Sequence, residues 1–246
     1  MRNSYSGFRG LLLLAAAALS LAVPAQAAPT CVTGTAADYV ALGAGGCQQD
    51  NLLFSNFIYL ASANPTVLTI PATSVVINPI PTLFNEGLGF QITSGWVATS
   101  PGSFVDSVLQ YSVSTINQSR DLNGLAVNFN GTATGSGLAS ISENYCPGGT
   151  STVGCSGLRN ISAQIGAGGG SLSNQTTFAG VPLLAVSKDI NAAAGSSGTA
   201  TISLVNNQFP NGGGGGSGGQ VPEPGTVALF GLGLSGLAFH RRLRRA

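Results

Sequence analysis

The strongest constraint on the fold is a regular alternation of apolar and polar residues through the middle of the chain. Over residues 88–97 the apolar side chains recur at alternate positions, namely Leu88, Phe90, Ile92 and Trp96. Over residues 104–116 the pattern returns at Val105, Leu109, Tyr111 and Val113, and it continues at Leu125, Val127 and Phe129. Successive side chains of a β-strand point to opposite faces of the sheet, so this alternation predicts strands with one face in a core and the other in solvent.

The composition favours the same class of fold. Charged residues make up only 7% of the chain, whereas Gly, Ser, Thr, Asn and Val are abundant. Exposed helix faces usually carry Lys, Glu and Arg, so a surface of hydroxyl and amide groups is typical of exported β proteins. Clusters of turn residues separate the predicted strands at roughly ten-residue intervals. We therefore predict an all-β domain over residues 28–210, with an antiparallel β-sandwich or jelly-roll-like fold.

Three parts of this region leave alternatives open. Residues 52–60 fit strand and helix spacing about equally, and their aromatic residues and Ile58 favour the strand. Residues 66–78 contain Pro71, which confines the segment to a sheet edge or splits it in two. Residues 136–142 and 197–203 match at five of seven positions, which indicates either a duplicated strand pair or a chance match in a Ser/Gly/Ala-rich chain.

The N-terminal residues carry the features of a secretory signal peptide. Arg2 and Arg9 form a basic region, residues 11–21 form an unbroken apolar stretch, and alanines at positions 25 and 27 form a cleavage site. An uncleaved N-terminal anchor is the alternative, but an apolar stretch of about eleven residues is short for a bilayer span. We expect residues 1–27 to be removed on export.

The four cysteines form two local pairs, Cys31 with Cys47 and Cys146 with Cys155. An exported chain meets oxidising conditions, so the pairing predicts two disulfides. Each would stabilise the fold by about 3 kcal/mol through a loss of entropy in the unfolded chain. A zinc site with four cysteine ligands is the alternative, but the region lacks both a Cys-x₂-Cys knuckle and a histidine.

The C-terminal residues combine a rigid motif, an apolar run and a basic end. Pro222, Glu223 and Pro224 precede an uncharged run over residues 225–239, and four arginines follow it: Arg241, Arg242, Arg244 and Arg245. We predict a single transmembrane helix over residues 225–240, whose apolar run spans about 22 Å, less than the ~30 Å bilayer core. The arginine cluster stays on the cytoplasmic side as a stop-transfer signal, so the preceding chain faces outward.

This tail resembles the PEP-CTERM sorting signal of Gram-negative bacteria, in which a Pro-Glu-Pro motif, one hydrophobic segment and a basic terminus follow in that order. The resemblance covers about one tenth of the chain. It implies recognition by exosortase, a membrane protease-transpeptidase, and removal or exchange of the tail during sorting. An ordinary tail anchor is the alternative, but it does not account for the signal peptide or for the glycine-rich linker before the motif.

The chain therefore divides into four predicted parts. They are a signal peptide (1–27), an exported β domain (28–210), a Gly-rich linker (211–220) and the sorting tail (221–246). A glycine-rich linker is flexible, so it lets the domain stand away from the bilayer. We expect the protein to be anchored in the inner membrane through its C-terminal helix and, after sorting, to lie at the cell surface or outside the cell.

Several classes of function lack the residues that they need. Between the two targeting segments only Arg120, Arg159 and Lys188 are cationic against seven acids, a net charge of −4, so no basic patch is available for nucleic acid. The sole histidine, His240, lies in the sorting tail and leaves the β domain without an imidazole. The sequence indicates no catalytic, cofactor-binding or metal-ligating residue, while a spatial pair of carboxylates, as in glycosidases, stays open.

The sequence thus predicts a non-enzymatic cell-surface or extracellular-matrix protein that is sorted through its PEP motif and associates with an exopolysaccharide or biofilm. The expected partners are exosortase, the membrane and an exopolysaccharide. The alternative is a carbohydrate-binding module or a carboxylate-dependent glycoside-acting enzyme on the same sandwich. Two acids about 5 to 9.5 Å apart in a cleft would favour a glycosidase, and an exposed aromatic side chain with polar neighbours would favour a lectin-like site.

Overall fold

Strands form most of the part of the chain that the computed structural model describes, which is residues 27–64, 66–80, 87–116 and 121–210. One antiparallel sheet has six strands in these ranges, namely β1 Gly34–Thr35, β4 Val76–Ile80, β5 Leu88–Ala98, β7 Leu122–Thr134, β11 Ser173–Val181 and β13 Thr199–Phe209. The other has seven, namely β2 Cys47–Gln49, β3 Leu52–Ala63, β6 Phe104–Thr115, β8 Leu138–Pro147, β9 Arg159–Gly166, β10 Gly169–Ser171 and β12 Leu183–Ala193. Their spatial orders are β1-β4-β5-β13-β7-β11 and β10-β9-β8-β12-β6-β3-β2.

The all-β prediction is confirmed, and the alternation in the sequence corresponds to the burial of the side chains. In β5 the side chains of Phe90, Ile92 and Trp96 are fully buried in the core. Residues 52–60 belong to β3, as their aromatic residues predicted. Residues 66–78 are split after Pro71 by a 3₁₀ turn, Ala72–Ser74, before β4 begins. The result is a sandwich of two antiparallel sheets.

A short helix, α1 (Ala36–Ala41), follows β1. Thr35 and Asp38 form a capping box at its N-terminus, because the Thr35 Oγ1 accepts from the Asp38 N–H at 3.2 Å and the Asp38 carboxylate accepts from the Thr35 N–H at 2.8 Å. The helix buries Ala36 and Tyr39. None of the helices in the four described ranges is long and apolar enough to cross a membrane.

Aromatic side chains fill the core between the sheets. The rings of Phe54 and Phe90, from opposite sheets, meet edge to face with centroids 4.6 Å apart, and Phe57 stacks on Tyr111 at 5.3 Å. Tyr39 of α1 lies against both Phe57 and Phe90. Full burial of one such ring contributes about 1.5–3 kcal/mol. The aromatic core therefore holds the two sheets and the helix together.

The two copies of the repeated Ser-Gly-x-Ala-x-Ile-Ser segment run into strands of opposite sheets, β8 and β13. A Cβ on Gly137 would lie 2.0 Å from the Thr199 carbonyl oxygen, and one on Gly198 would lie 2.1 Å from the Thr134 carbonyl oxygen. Only glycine fits at either place. The following Ala and Ile side chains are buried in both copies, at Ala139, Ile141, Ala200 and Ile202. The two copies therefore meet similar local requirements at the starts of their strands.

Both predicted disulfides are present. Cys31–Cys47 fastens the segment before β1 to β2, with Cα atoms 4.8 Å apart, and Cys146–Cys155 joins the end of β8 to the following loop, with Cα atoms 6.1 Å apart. The zinc alternative is therefore wrong, because all four cysteines are oxidised. The predicted signal peptide up to residue 26, the predicted linker and the sorting tail lie outside the described residues.

Candidate functional site

A groove of about 830 Å³ lies on the outer face of the six-stranded sheet. Strands β4, β5, β13, β7 and β11 contribute to its lining, and so does Pro210 at the end of the described chain. Its side-chain amides are Gln91, Asn128, Asn174, Gln175, Asn206 and Gln208, and its other lining residues are apolar or carry a hydroxyl group. We call this surface the amide groove. Among the residues that the structure describes, no charged side chain lines it.

Several of these amides lie in one row across the strands. Asn78, Gln91, Asn206 and Asn128 occupy directly paired positions on β4, β5, β13 and β7, and Ser173 of β11 continues the row. Neighbouring strands are about 4.8 Å apart, so the row presents polar groups at a regular spacing. The sheet ladder, and not a flexible loop, sets this spacing.

The amides of the row are only partly satisfied by one another. The Nδ2 of Asn206 donates to the Oδ1 of Asn128 at 2.9 Å. The Oδ1 of Asn206 is covered by protein and has no hydrogen-bond partner among the described residues. Such an acceptor costs free energy unless water or a bound molecule reaches it. The groove therefore offers donors and acceptors in a setting without charge, which suits a neutral ligand rich in hydroxyl groups.

A second polar arrangement lies inside the sandwich. Glu143 on β8 and Lys188 on β12 are directly paired in the sheet ladder, and their side chains form an ion pair with no exposed surface. Asn207, from β13 in the opposite sheet, donates from Nδ2 to the Oε1 of Glu143 at 3.0 Å. The hydroxyl of Tyr111, on β6, donates to the Oδ1 of Asn207. We call Tyr111, Glu143, Lys188 and Asn207 the core tetrad.

Burial dominates the electrostatics of the core tetrad. Desolvation lowers the pKa of the Lys188 amine, and the charge of Glu143 opposes this shift. Desolvation raises the pKa of Tyr111 well above its usual range, and the charge of Glu143 adds to the rise. Burial therefore favours the uncharged forms of both the amine and the phenol.

The positions of Lys188 and Glu143 in the alternation of the sequence indicate this cluster, whereas the number of charged residues does not. Lys188 stands at an inward position of β12, between buried Val186 and Ile190, and Glu143 stands between buried Ile141 and Tyr145 of β8. A charged residue at a position where the alternation of a strand places core-facing apolar side chains predicts a buried polar group. The pairing of the two strands, which brings the charges together, could not be read from the sequence.

Two carboxyl groups also meet on the outer face of the seven-stranded sheet. Asp106 of β6 lies opposite Asn191 of β12, and Asp189 is the diagonal neighbour two residues away. Burial, followed by the negative charge of Asp106, raises the pKa of Asp189 to about 6, and burial also raises the pKa of Asp106.

The structure brings the predicted residues together in part. The cysteines form their two local pairs. The sorting motif, Pro222, Glu223 and Pro224, and the arginine cluster, Arg241, Arg242, Arg244 and Arg245, lie outside the described residues. Within the described ranges no group of three or more His, Cys, Asp or Glu side chains is placed to hold a metal ion.

The comparison with protein families gives a match in the C-terminal tail. Residues 220–245 match the model of the PEP-CTERM protein-sorting motif. The chain carries a PEP-CTERM sorting signal. The matched range contains the Pro-Glu-Pro residues and the arginine cluster. The PEP-CTERM motif implies export, recognition by exosortase, and anchoring in the membrane through the C-terminus before cleavage.

Three solved structures that are similar to part of this chain share little sequence with it, and the comparison with curated proteins gives no match. The enzymatically active domain of bacteriophage CBA120 tailspike protein 4 has a TM-score of 0.26 and 12% identity over 68% of this chain, which spans 21% of that chain. The glycosylation-associated Gap123 complex from Streptococcus agalactiae has a TM-score of 0.27 and 10% identity. The match covers 63% of this chain and 26% of that chain. Trichoderma harzianum endoglucanase 3 of family GH12 has a TM-score of 0.22 and 8% identity. The match covers 66% of this chain and 99% of that chain.

Proposed function

We propose that this PEP-CTERM protein is a non-enzymatic component of the cell surface or extracellular matrix that reaches its place through the sorting tail. The observation that carries the proposal is the match of residues 220–245 to the sorting motif. That range holds the Pro-Glu-Pro element, the apolar run and the arginine cluster in the order that sorting requires. The tail supplies delivery, so the lasting role of the mature protein belongs to the β domain.

The side chains of the β domain support a role without catalysis. Both disulfides occupy the cysteines, and the sole histidine, His240, belongs to the tail. The ion pair of Glu143 and Lys188 is sealed in the core, out of reach of an external substrate. These features favour a stable and chemically inert surface domain.

The proposed route uses the remaining parts of the chain. The signal peptide brings the chain to the inner membrane, and the arginines hold the tail helix with its basic end in the cytoplasm. The linker keeps the domain away from the bilayer and leaves the Pro-Glu-Pro element accessible to exosortase. After removal or exchange of the tail, the domain passes to the cell surface, where an exopolysaccharide layer or biofilm is the expected setting.

The test is to map both ends of the mature protein by mass spectrometry after expression in a host that contains an exosortase. We expect an N-terminus at Ala28 and a C-terminus near Pro224, with the apolar run and the arginines missing. The same host without its exosortase is the control, and there the tail should remain. A mature protein that keeps its tail in both hosts would contradict the proposed sorting.

The amide groove favours a second function, the binding of a neutral polysaccharide. Its polar row is uncharged and regularly spaced, and the covered Oδ1 of Asn206 lacks a partner. Hydroxyl groups both donate and accept hydrogen bonds, so they match side-chain amides better than charged ligands do. The two functions are compatible, because a surface protein that holds polysaccharide would contribute to a matrix. Affinity electrophoresis in gels that contain soluble neutral polysaccharides tests this binding directly.

A further inference from the structure

The core tetrad brings an amine, a carboxamide and a carboxyl group together where solvent does not reach. Lys188, Glu143 and Asn207 have no exposed surface, and Tyr111 is 3% exposed. A role as an inert surface domain gives this cluster no task, and apolar side chains in its place would avoid the desolvation of two charges. We propose that Lys188 Nζ and Asn207 Cγ become joined by an amide bond that forms within the folded domain.

The carboxyl group of Glu143 touches both nitrogens that the reaction involves. Its Oε2 is hydrogen-bonded to the Nζ of Lys188, which is the attacking atom. Its Oε1 accepts a hydrogen bond at 3.0 Å from the Nδ2 of Asn207, which is the leaving nitrogen. One group in contact with both atoms can accept a proton from the first and donate a proton to the second. Glu143 is therefore the proton shuttle of the reaction.

Tyr111 prepares the carboxamide for attack. Its hydroxyl donates a hydrogen bond to the Oδ1 of Asn207, the atom on which negative charge develops as the amine adds to Cγ. A fixed donor at that atom, in a site without water, stabilises the tetrahedral intermediate. The Nδ2 of Asn207 also donates to the Ala126 carbonyl at 3.4 Å, which helps to fix the plane of the carboxamide.

The reaction balances without an external reagent. The Lys188 ammonium first gives a proton to the Glu143 carboxylate, and the neutral Nζ then uses its lone pair to form a bond to Asn207 Cγ while the carbonyl electron pair moves to Oδ1. A second proton passes from Nζ to Nδ2 through the two oxygens of Glu143. When the carbonyl re-forms, the Cγ–Nδ2 bond breaks and ammonia leaves. The products are one secondary amide, one ammonia and the Glu143 carboxylic acid.

Burial favours both the attack by the amine and the formation of the uncharged products. Desolvation lowers the pKa of Lys188, which increases the share of the neutral amine that can attack. The product core holds a neutral amide and a neutral acid where the starting core held two opposite charges, so the cost of burying charge is removed. Ammonia diffuses away from the site, so the bond accumulates with time.

An amide between Lys188 and Glu143 is the competing product, since these two groups are in direct contact. That reaction would expel water from a carboxylate, which is a poor electrophile, and no third group would carry the protons. It would also make no use of the hydrogen bond from Tyr111 to Asn207. The arrangement of donors thus favours Asn207 as the electrophile.

The bond would join the two halves of the sandwich. Lys188 lies on β12 of the seven-stranded sheet, and Asn207 lies on β13 of the six-stranded sheet. A covalent link between these strands would resist their separation by heat, denaturant or pulling force. Unlike a disulfide, it would survive reducing conditions.

The test is the intact mass of the purified full chain after reduction and denaturation, compared with that of Lys188→Met and corrected for the substitution. We expect wild type to be lighter by the mass of one ammonia, and peptide sequencing by tandem mass spectrometry to find residues 188 and 207 in one branched peptide. Asn207→Ala should lose the effect, while Asn206→Ala, at the adjacent outward position, should keep it. Glu143→Gln should fold, as judged by circular dichroism, and retain the full mass.

Three results would overturn the proposal. A wild-type chain at its full sequence mass, with Lys188 and Asn207 in separate peptides, shows that no bond forms. A deficit of one water and a branch at residue 143 shows that Glu143 is the acceptor. A cross-link that forms equally in folded Glu143→Gln removes the proton shuttle. The first two outcomes are read from wild type alone, so they do not depend on the folding of any variant.

Discussion

Lys188 and Glu143 lie directly opposite each other in the β12–β8 ladder, and neither side chain has any exposed surface. The same inward face of β12 carries Val186 and Ile190, which are almost completely buried. The ion pair is therefore a polar exception within an apolar face. Removing one partner of a buried pair leaves a charge without compensation and costs about 3–5 kcal/mol, whereas replacing both by apolar residues is often close to neutral.

The first prediction compares two variants that both lack the lysine. Lys188→Met leaves the carboxyl group of Glu143 buried without a cation, with the Nδ2 of Asn207 as its remaining hydrogen-bond donor, so we expect a loss of about 3–5 kcal/mol in the free energy of unfolding. Adding Glu143→Leu removes this carboxyl group and should recover most of the part of the loss that the missing cation causes. Urea unfolding at pH 7 measures both values. Since neither variant can form a lysine cross-link, their difference reports the unpaired carboxyl group alone, and a double variant no more stable than Lys188→Met would contradict the expectation.

The sequence predicted those parts of the fold that depend on local patterns. The alternation around Phe90 and Trp96 indicated which side chains are buried, because the two faces of a strand follow directly from the period of the chain. The disulfides were predictable because each pair is close in sequence and export oxidises thiols. The sorting tail was predictable because its three parts are contiguous.

The candidate sites could not be predicted, because each depends on pairing between distant strands. Asn128 and Asn206 are 78 residues apart and meet only through the β7–β13 ladder. Asp106 and Asp189 meet only through the β6–β12 ladder. Strand order and register are decided by long-range packing, and a change of one residue in register would turn each of these side chains to the opposite face.

The second prediction concerns the pH dependence of stability. The pKa of Asp189 is raised to about 6 in the folded protein, from an ordinary value of 3.8, mainly by burial and then by Asp106. A raised pKa means that the stabilising contribution of the protonated pair is complete below about pH 4 and is lost as the pH rises through about 6. Asp189→Asn cannot ionise, so we expect it to lack this loss and to be more stable than wild type at pH 7.

The gain should be modest, about 1–2 kcal/mol, because the pair lies on the sheet surface and solvent screens its charges. Urea midpoints between pH 4 and pH 7 measure it for wild type and variant. Asp50→Asn is the matched control, since Asp50 is an exposed carboxylate in the turn before β3. Equal slopes of stability against pH for wild type and Asp189→Asn would be evidence against a raised pKa of Asp189.

The third prediction concerns the amide groove. If its central row binds a neutral polysaccharide, Asn206→Ala should weaken binding by about two- to tenfold, because one lost hydrogen bond to a ligand is worth about 0.5–1.5 kcal/mol. Gln91→Ala and Asn128→Ala, at the paired positions on the neighbouring strands, should have effects of similar size. Retardation in affinity gels that contain neutral polysaccharides measures the change.

The control for the groove is Asn160→Ala, because Asn160 is an exposed amide of β9 on the other sheet. It should migrate like wild type in the same gels. Thermal unfolding of each variant checks that the sheet is intact. Retardation that is the same for wild type, Asn206→Ala and Asn160→Ala would exclude the groove as the binding surface. The proposal on sorting does not depend on this result.

The last prediction tests the sorting motif itself. The apolar run after Pro224 is short for a permanent anchor, yet it lies between a rigid Pro-Glu-Pro element on the outer side and four arginines on the inner side. Proline fixes its own backbone and restricts the residue before it, so the element stays extended, the conformation that a protease cleft accepts. We expect Pro222→Ala combined with Pro224→Ala to leave the protein in the membrane fraction with its tail attached. Pro210→Ala, just before the linker, is the control and should be processed normally. Fractionation and the C-terminal peptides of each variant decide the matter, and a double variant that is cleaved and released like wild type would show that the prolines are not the signal.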